Sequence, residues 1–280
     1  MLTPPRAACI VGYPVTQSRS PKLHGHWIKT YGIAGDYRAE EIAPEDFDAF
    51  LTNLAAHGYV GCNVTMPHKD RAFALSRPDD RAKAVGAANT IWLDGGTLRS
   101  TNTDVEGFIL GLDARAPGWD RRNSSAIVLG AGGAGRAIVC GFLERGIREV
   151  HVVNRSQNKA EQVSAQFGFG VTSADWNDLP RLLRGAGLLA NSTSLGMAGK
   201  EPMPPLDLSV MRPDAVVGDA IYVPLETPLL AAARAQGFAI TDGLDMLMHQ
   251  AVRGFELWFG RRPEVTQALR DLLVADLLAS

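Results

Sequence analysis

Four short polar clusters close apolar stretches in the N-terminal third of the chain. They are Ser18-Arg19-Ser20-Pro21, Asn63-Val64-Thr65 followed by Lys69, Asn89-Thr90, and Asn102-Thr103-Asp104. Together they offer hydroxyls, carboxamides, one amine and one carboxylate. No metal-ligand cluster accompanies them, so no metal is expected. The inventory fits a small polyhydroxylated substrate. A lysine ammonium is a compact proton donor to an oxygen that develops negative charge. Each cluster also has a plainer reading. Ser20 could be a helix cap, Asn89 a strand-start residue, Asp104 an acid favoured by the dipole at a helix N-terminus, and Lys69 a solvated side chain.

A second chemistry lies in the middle of the sequence. The apolar run Ala126 to Leu129 leads straight into Gly130-Ala131-Gly132-Gly133-Ala134-Gly135. A GxGxxG match alone is weak, but here a strand precedes it and a helix follows. The first glycine permits a tight turn, the second lets backbone approach a pyrophosphate, and the third lets the helix pack close. The helix N-terminus then presents N–H groups and a positive dipole end to the anion. NAD-dependent enzymes place Asp or Glu at the end of the next strand, on the ribose 2′-hydroxyl. This chain has Asn154-Arg155-Ser156 there, with Lys159 one turn on. A guanidinium with amide and hydroxyl donors suits a 2′-phosphate, so the expected cofactor is NADP.

The elements that must position these groups alternate between strand and helix. Strands are expected over 7–12, 36–42, 59–65, 89–93 and 97–102, the last two joined by the hairpin signal Asp94-Gly95-Gly96. Asn63 and Thr65 then share one strand face, because side chains alternate with period two. Pro67 ends the ladder for lack of an N–H, and Lys69 follows it. Helices are expected from Ser20-Pro21, with Ser20 as the cap, over 44–57, and from Asp104. Beyond Asn123, regular βα alternation indicates a parallel sheet with helices on both faces. Two helices, 243–259 and 263–278, end the chain. The expected class is α/β with two domains. Residues 1–103, completed by 244–280, form a substrate domain, and 104–243 form a Rossmann-type NADP-binding domain. The cleft between them is the natural ligand site.

The bulk composition limits the alternatives. The chain has 280 residues, 46% of them hydrophobic, 21% charged, and a formal net charge of −2. That balance gives no electrostatic case for nucleic acid or an anionic membrane. Three cysteines without a CxxC spacing read as reduced residues of a cytoplasmic protein. No apolar stretch approaches the roughly 18 residues a membrane span needs. The expected partner is a small molecule; a homodimer stays open.

Read together, the motifs resemble those of the shikimate dehydrogenase family. The matching stretches are GYPVTQSRSPKLH (12–24), NVTMPHK (63–69), AANT (87–90), NTDVEG (102–107), GAGGAGRA (130–137), NRS (154–156), DAIYVPLETPLL (219–230) and GLDMLMHQ (243–250). They occur in the family's order and cover almost the whole chain. The resemblance implies reversible NADPH-dependent reduction of 3-dehydroshikimate to shikimate, in aromatic amino-acid biosynthesis. It implies Lys69 and Asp104 as the catalytic pair. Ser18 and Ser20 would hold the substrate carboxylate, with Thr65, Asn89, Asp104, Tyr222 and Gln250 on its other polar groups and Asn63 beside them. Ala220 and Gly243 would line the nicotinamide end, and Asp80 would reach the cofactor. The nearest alternatives are a quinate/shikimate dehydrogenase, which often prefers NAD, and a non-catalytic NADP-sensing regulator.

Overall fold

A computed structural model of the chain describes residues 6–123 and 125–279. The chain divides into two compact units, Met1–Thr103 with Gln250–Ser280, and Asp104–His249. Among the described residues no helix is long and apolar enough to cross a membrane.

The first unit is built on a six-stranded sheet of β1 (Arg6–Gly12), β2 (Gly35–Glu41), β3 (Tyr59–Val64), β4 (Arg77–Pro78), β5 (Thr90–Asp94) and β6 (Thr97–Thr101). The spatial order is β2-β1-β3-β5-β6-β4. β1 pairs in parallel with both β2 and β3, whereas β3, β5 and β6 run antiparallel to one another in turn. Asp94 pairs with Thr97 across Gly95 and Gly96, whose φ angles of 56° and 82° suit a type I′ turn. Helices α1 (Ser20–Thr30), α2 (Phe47–Thr52), α3 (Lys69–Leu75) and α4 (Asp80–Val85) connect the strands.

Alternation along β1 fills both sides of this sheet. Cys9 and Val11 join a core with Phe47, Leu51, Leu54, Cys62 and Ile91. An aromatic cluster of His24, Trp27, Tyr37, Phe255 and Trp258 also packs within the unit. The Trp258 indole donates to the Ile91 carbonyl at 2.8 Å. Only glycine fits at 61, where a Cβ would stand 2.1 Å from the Trp258 ring nitrogen.

Three local expectations need correction. The helix foreseen over 44–57 is confined to Phe47–Thr52. There the Thr52 hydroxyl and Asn53 amide donate to the carbonyls of Asp48 and Ala49, and such local bonds compete with helix propagation. The last helix, α12 (Gln267–Leu278), begins at Gln267 rather than Pro263, because the Thr266 hydroxyl caps it by accepting from the Leu269 N–H. Ser20 is not the cap of α1. Arg19 occupies that position without a side-chain cap bond, and Ser20 is the first helical residue.

The second unit holds β7 (Ser125–Leu129), β8 (Glu149–Val153), β9 (Val171–Ala174), β10 (Leu188–Asn191), β11 (Val216–Asp219) and β12 (Ala239–Thr241). They form a parallel sheet of order β12-β11-β10-β7-β8-β9. Helices α5 (Asp104–Arg115), α6 (Trp119–Arg122), α7 (Gly133–Glu144), α8 (Gln157–Phe167), α9 (Leu179–Leu182) and α10 (Pro228–Ala235) accompany it. Strand residues divide between two cores. Ala126, Val128, Val150 and Val152 face one, while Ile127, Leu129 and Val153 face the other. A sheet buried on both faces explains why these strands read as continuous apolar runs. Helix α11 (Gly243–Phe259) contributes its residues through His249 to this unit and those from Gln250 to the first. The sequence had placed that boundary at the start of the helix.

Candidate active site

Each sheet has a strand from which the chain departs in opposite directions. In the first unit β2 and β3 lie on opposite sides of β1, and in the second β8 and β10 lie on opposite sides of β7. Ligands of open α/β sheets bind beyond the carboxyl ends of strands at such points. The loops after β1 and β3 carry Ser18 and Thr65, and Lys69 follows at the start of α3. The loop after β7 is the glycine turn.

In the first unit, the end of β1 passes close to the loop after β3. A Cβ on Gly12 would lie 2.4 Å from the Thr65 methyl, so the approach requires glycine. The Met66 carbonyl accepts from the Tyr13 N–H at 3.0 Å, and the Met66–Pro67 peptide is cis. His68 anchors the loop. Its Nε2 lies 2.8 Å from the Ile42 carbonyl and its ring stacks on Phe47 at 4.2 Å. The next residue, half-buried Lys69, opens α3, and its carbonyl accepts from the Ala88 N–H at 3.1 Å. The backbone of Lys69 is therefore held in place at the start of α3.

Ala88 leads into a buried polar network. The Asn89 carboxamide oxygen accepts the Thr103 N–H at 2.8 Å. The Asn89 amide donates to the Thr103 hydroxyl at 3.0 Å and to the Gln250 side-chain oxygen Oε1 at 3.4 Å. Asn63 donates to the Thr90 hydroxyl at 3.1 Å and the Asn89 carbonyl at 3.3 Å, and accepts from the Tyr37 hydroxyl at 2.6 Å. Ser18 accepts the Ser20 N–H at 3.2 Å. Asn63, Asn89 and Gln250 are thus joined to Thr90 and Thr103 of the polar clusters named from sequence, and to Tyr37, which sequence reasoning did not single out. Both amide hydrogens of Asn63 are engaged within the protein, on the Thr90 hydroxyl and the Asn89 carbonyl. Tyr37 gave no signal, because Gly35–Glu41 reads as a solvated strand. A Tyr37→Phe variant leaves the buried Asn63 oxygen without its donor. Urea unfolding should show a loss of about 1–3 kcal/mol; an unchanged midpoint would contradict the bond.

Asp104 is the first residue of α5 in the second unit, 6% exposed, with Glu106 also in the first turn. Asp80 opens α4, fully exposed, and pairs with Lys83 at 3.1 Å. It belongs to none of the bonds just described.

The glycine turn meets the geometric demands of a dinucleotide phosphate. Gly130 has φ +107°, open to glycine and closed to most residues. A Cβ on Gly135 would stand 2.2 Å from the Gly130 carbonyl, so helix α7 packs directly on the turn. Gly132 borders open space and precedes α7, which has no capping side chain. Ala131, Gly133 and Ala134 complete the turn. The Ser192 hydroxyl donates to the Leu129 carbonyl at 2.8 Å and roofs Gly130 and Gly135. Ser192 was missed; its signal was a polar run, Asn191-Ser192-Thr193-Ser194, ending an apolar strand.

After β8, the Asn154 amide donates to the Ser156 carbonyl at 3.0 Å, fixing the turn into α8. The Arg155 side chain is 90% exposed and meets Glu201 at 3.4 Å. Lys159 is exposed on the first turn of α8. After β11, the Ala220 N–H donates to the Asn191 carbonyl at 2.9 Å, and the Gly243 N–H to that of Ile221 at 3.1 Å. A Cβ on Gly243 would lie 2.4 Å from the Ala220 carbonyl oxygen. Half-buried Tyr222 follows in the same loop.

Comparison with known proteins agrees over the whole chain. The model of the shikimate dehydrogenase substrate binding domain matches residues 10–91, that of shikimate / quinate 5-dehydrogenase residues 115–197, and that of the shikimate 5′-dehydrogenase C-terminal domain residues 243–273. A shikimate dehydrogenase (NADP(+)) of Nitrobacter hamburgensis is 57% identical, over 97% of this chain and 95% of that one. Among solved structures, quinate dehydrogenase from Corynebacterium glutamicum in complex with NAD has a TM-score of 0.87 at 28% identity, covering 98% and 100% of the two chains. Shikimate 5-dehydrogenase from Thermus thermophilus, in complex with NADP(H) and shikimate, has a TM-score of 0.82 at 31% identity, covering 95% and 99%.

Proposed function

The chain belongs to the shikimate dehydrogenase family, and we propose that it catalyses the reversible reduction of 3-dehydroshikimate to shikimate with NADPH. The observation that supports the reading best is the buried polar network of Asn63, Thr90, Asn89, Thr103 and Gln250 in the first unit, to which the Lys69 backbone is tied through Ala88. Bound NADPH supplies the hydride. The Gly130–Gly135 turn and the start of α7 hold its pyrophosphate, Arg155 with Asn154, Ser156 and Lys159 its 2′-phosphate, and Ala220 and Gly243 its nicotinamide end. Ser18 and Ser20 hold the substrate carboxylate, with Thr65, Asn89, Tyr222 and Gln250 on its other polar groups. Lys69 gives its proton to the carbonyl oxygen, and Asp104 is the carboxylate of the pair.

The assay is direct. Protein is mixed with shikimate or quinate and with NADP or NAD, and absorbance of the reduced nicotinamide is followed. Turnover of shikimate with NADP is expected to exceed every other pairing. Preference for quinate with NAD would favour the alternative that the Corynebacterium neighbour represents. No turnover with any pairing would favour a sensor. Against the NAD reading stands the absence of a carboxylate at the end of β8, where the residues are Asn154-Arg155-Ser156. Arg155→Ser should raise KM for NADP about 10–100-fold, the loss of a charge-assisted bond to phosphate, and leave NAD use within twofold. Equal losses with both cofactors would remove the 2′-phosphate assignment. The proposed place of action is the cytoplasm, which suits three buried cysteines, none of them in a disulfide.

A further inference from the structure

A buried carboxylate outside the assigned residues ties together the loops that border the glycine turn. Asp219 ends β11 with no exposed surface. Its Oδ1 accepts from the Asn191 amide at 3.0 Å and from the Ile221 N–H at 3.0 Å. Its Oδ2 accepts from the Thr227 hydroxyl at 2.7 Å. Each donor belongs to a different piece of the carboxyl edge of the sheet. Asn191 ends β10, and its own oxygen accepts from the Thr193 N–H at 3.0 Å and hydroxyl at 2.7 Å. That fixes the loop whose Ser192 roofs the glycine turn. Ile221 lies in the loop after β11, and its carbonyl receives the N–H of Gly243. Thr227 caps α10 by accepting the Leu230 N–H.

We infer that Asp219 is a positioning residue for the cofactor, holding the loops after β10 and β11 in the one arrangement that sets Ala220 and Gly243 at its nicotinamide end. The inference rests on the functional reading above. The chemistry of the site requires an acceptor at every contact, and a carboxylate has no hydrogen to present. An apolar residue would leave three donors unmatched, and an amide would turn an N–H toward the Thr227 hydroxyl. Burial holds the Asp219 carboxyl up at about 6, while bonds from Thr227, Ile221 and Asn191 oppose that shift.

The test uses Asp219→Asn, Thr227→Val and Thr227→Ser in the full-length protein. NADPH is titrated by its fluorescence, and KM for NADP, KM for shikimate and kcat are measured. The expected result is a 10-fold or larger rise in Kd for NADPH and in KM for NADP in Asp219→Asn, with KM for shikimate within twofold. Thr227→Val should move the same constants in the same direction, and Thr227→Ser, which restores the donor, should return them to the wild-type values. Constants for NADPH unchanged in both Asp219→Asn and Thr227→Val would overturn the inference, as would equal rises in both KM values. If Asp219→Asn does not fold, the Thr227 pair decides. A wild-type protein that binds NADPH but does not turn over shikimate would refute the functional reading alone, because the Kd ratios still measure the positioning.

Discussion

Lys69→Ala is expected to lower kcat with shikimate and NADP by about 10²–10⁴-fold and to leave KM for shikimate within a few-fold, the scale of a lost general acid–base group. The expectation rests on where the lysine is held. His68 is locked to Ile42 and Phe47, and the Lys69 carbonyl is bonded to Ala88, so backbone position does not depend on the amine. Lys69 is also the first residue of α3, where alanine is well tolerated. Folding is thus preserved and the loss reads as chemistry. Steady-state kinetics against both substrates checks it. A large rise in KM at unchanged kcat would mean that the amine binds substrate and transfers no proton.

The second large effect is on stability and concerns His24. Its ring stacks on Tyr37 at 4.0 Å and lies near Trp27, Phe255 and Trp258. Burial among them pushes its pKa down to about 3 from an ordinary 6.5. The folded state therefore holds the neutral ring, and the unfolded state binds the proton first. Stability from this group is complete above pH 6.5 and is lost as pH falls toward 3. Between pH 7 and pH 5 the loss is about 2 kcal/mol, at about 1.4 kcal/mol per pH unit below the unfolded pKa. Asp219 acts in the opposite sense. Its raised pKa adds stability at low pH that is lost as pH rises through about 6. A His24→Phe variant keeps a stacking ring and removes the titration. Urea midpoints at pH 7 and pH 5 should differ by about 2 kcal/mol less in the variant than in the wild type. Identical pH dependence would show that His24 titrates normally in the folded protein.

The features visible in sequence were those with local causes. The glycine turn carries its strand, turn and helix in consecutive residues, so its place and the class of its ligand could be read from Gly130 to Gly135. The Asp94-Gly95-Gly96 hairpin was visible for the same reason. Substrate-side clusters were legible as polar residues ending apolar strands. Their grouping was not, because Tyr37, Asn63, Asn89-Thr90 and Gln250 come from separate stretches that only sheet order and the middle of α11 bring into one network. Tyr37 in particular has charged neighbours in sequence and an apolar, aromatic setting in space. Ser20 was misplaced as a cap because Ser-Pro is a good N-terminal signal; Arg19 holds that position, and the Ser20 N–H is bonded to the Ser18 hydroxyl. Asp219 went unread as a separate residue, since an acid at a strand end looks like a solvated turn.

The network of the first unit has a thermodynamic consequence. Its amides and hydroxyls are bonded to one another before any ligand arrives, so a ligand that docks on them has few rotamers to freeze. Ordering of this kind costs about 0.5–1.5 kcal/mol per side chain when it must happen during association. Calorimetry of shikimate binding should accordingly show a small entropic penalty in the wild type. In Tyr37→Phe, with one link open, the entropy should become less favourable even where the affinity changes little.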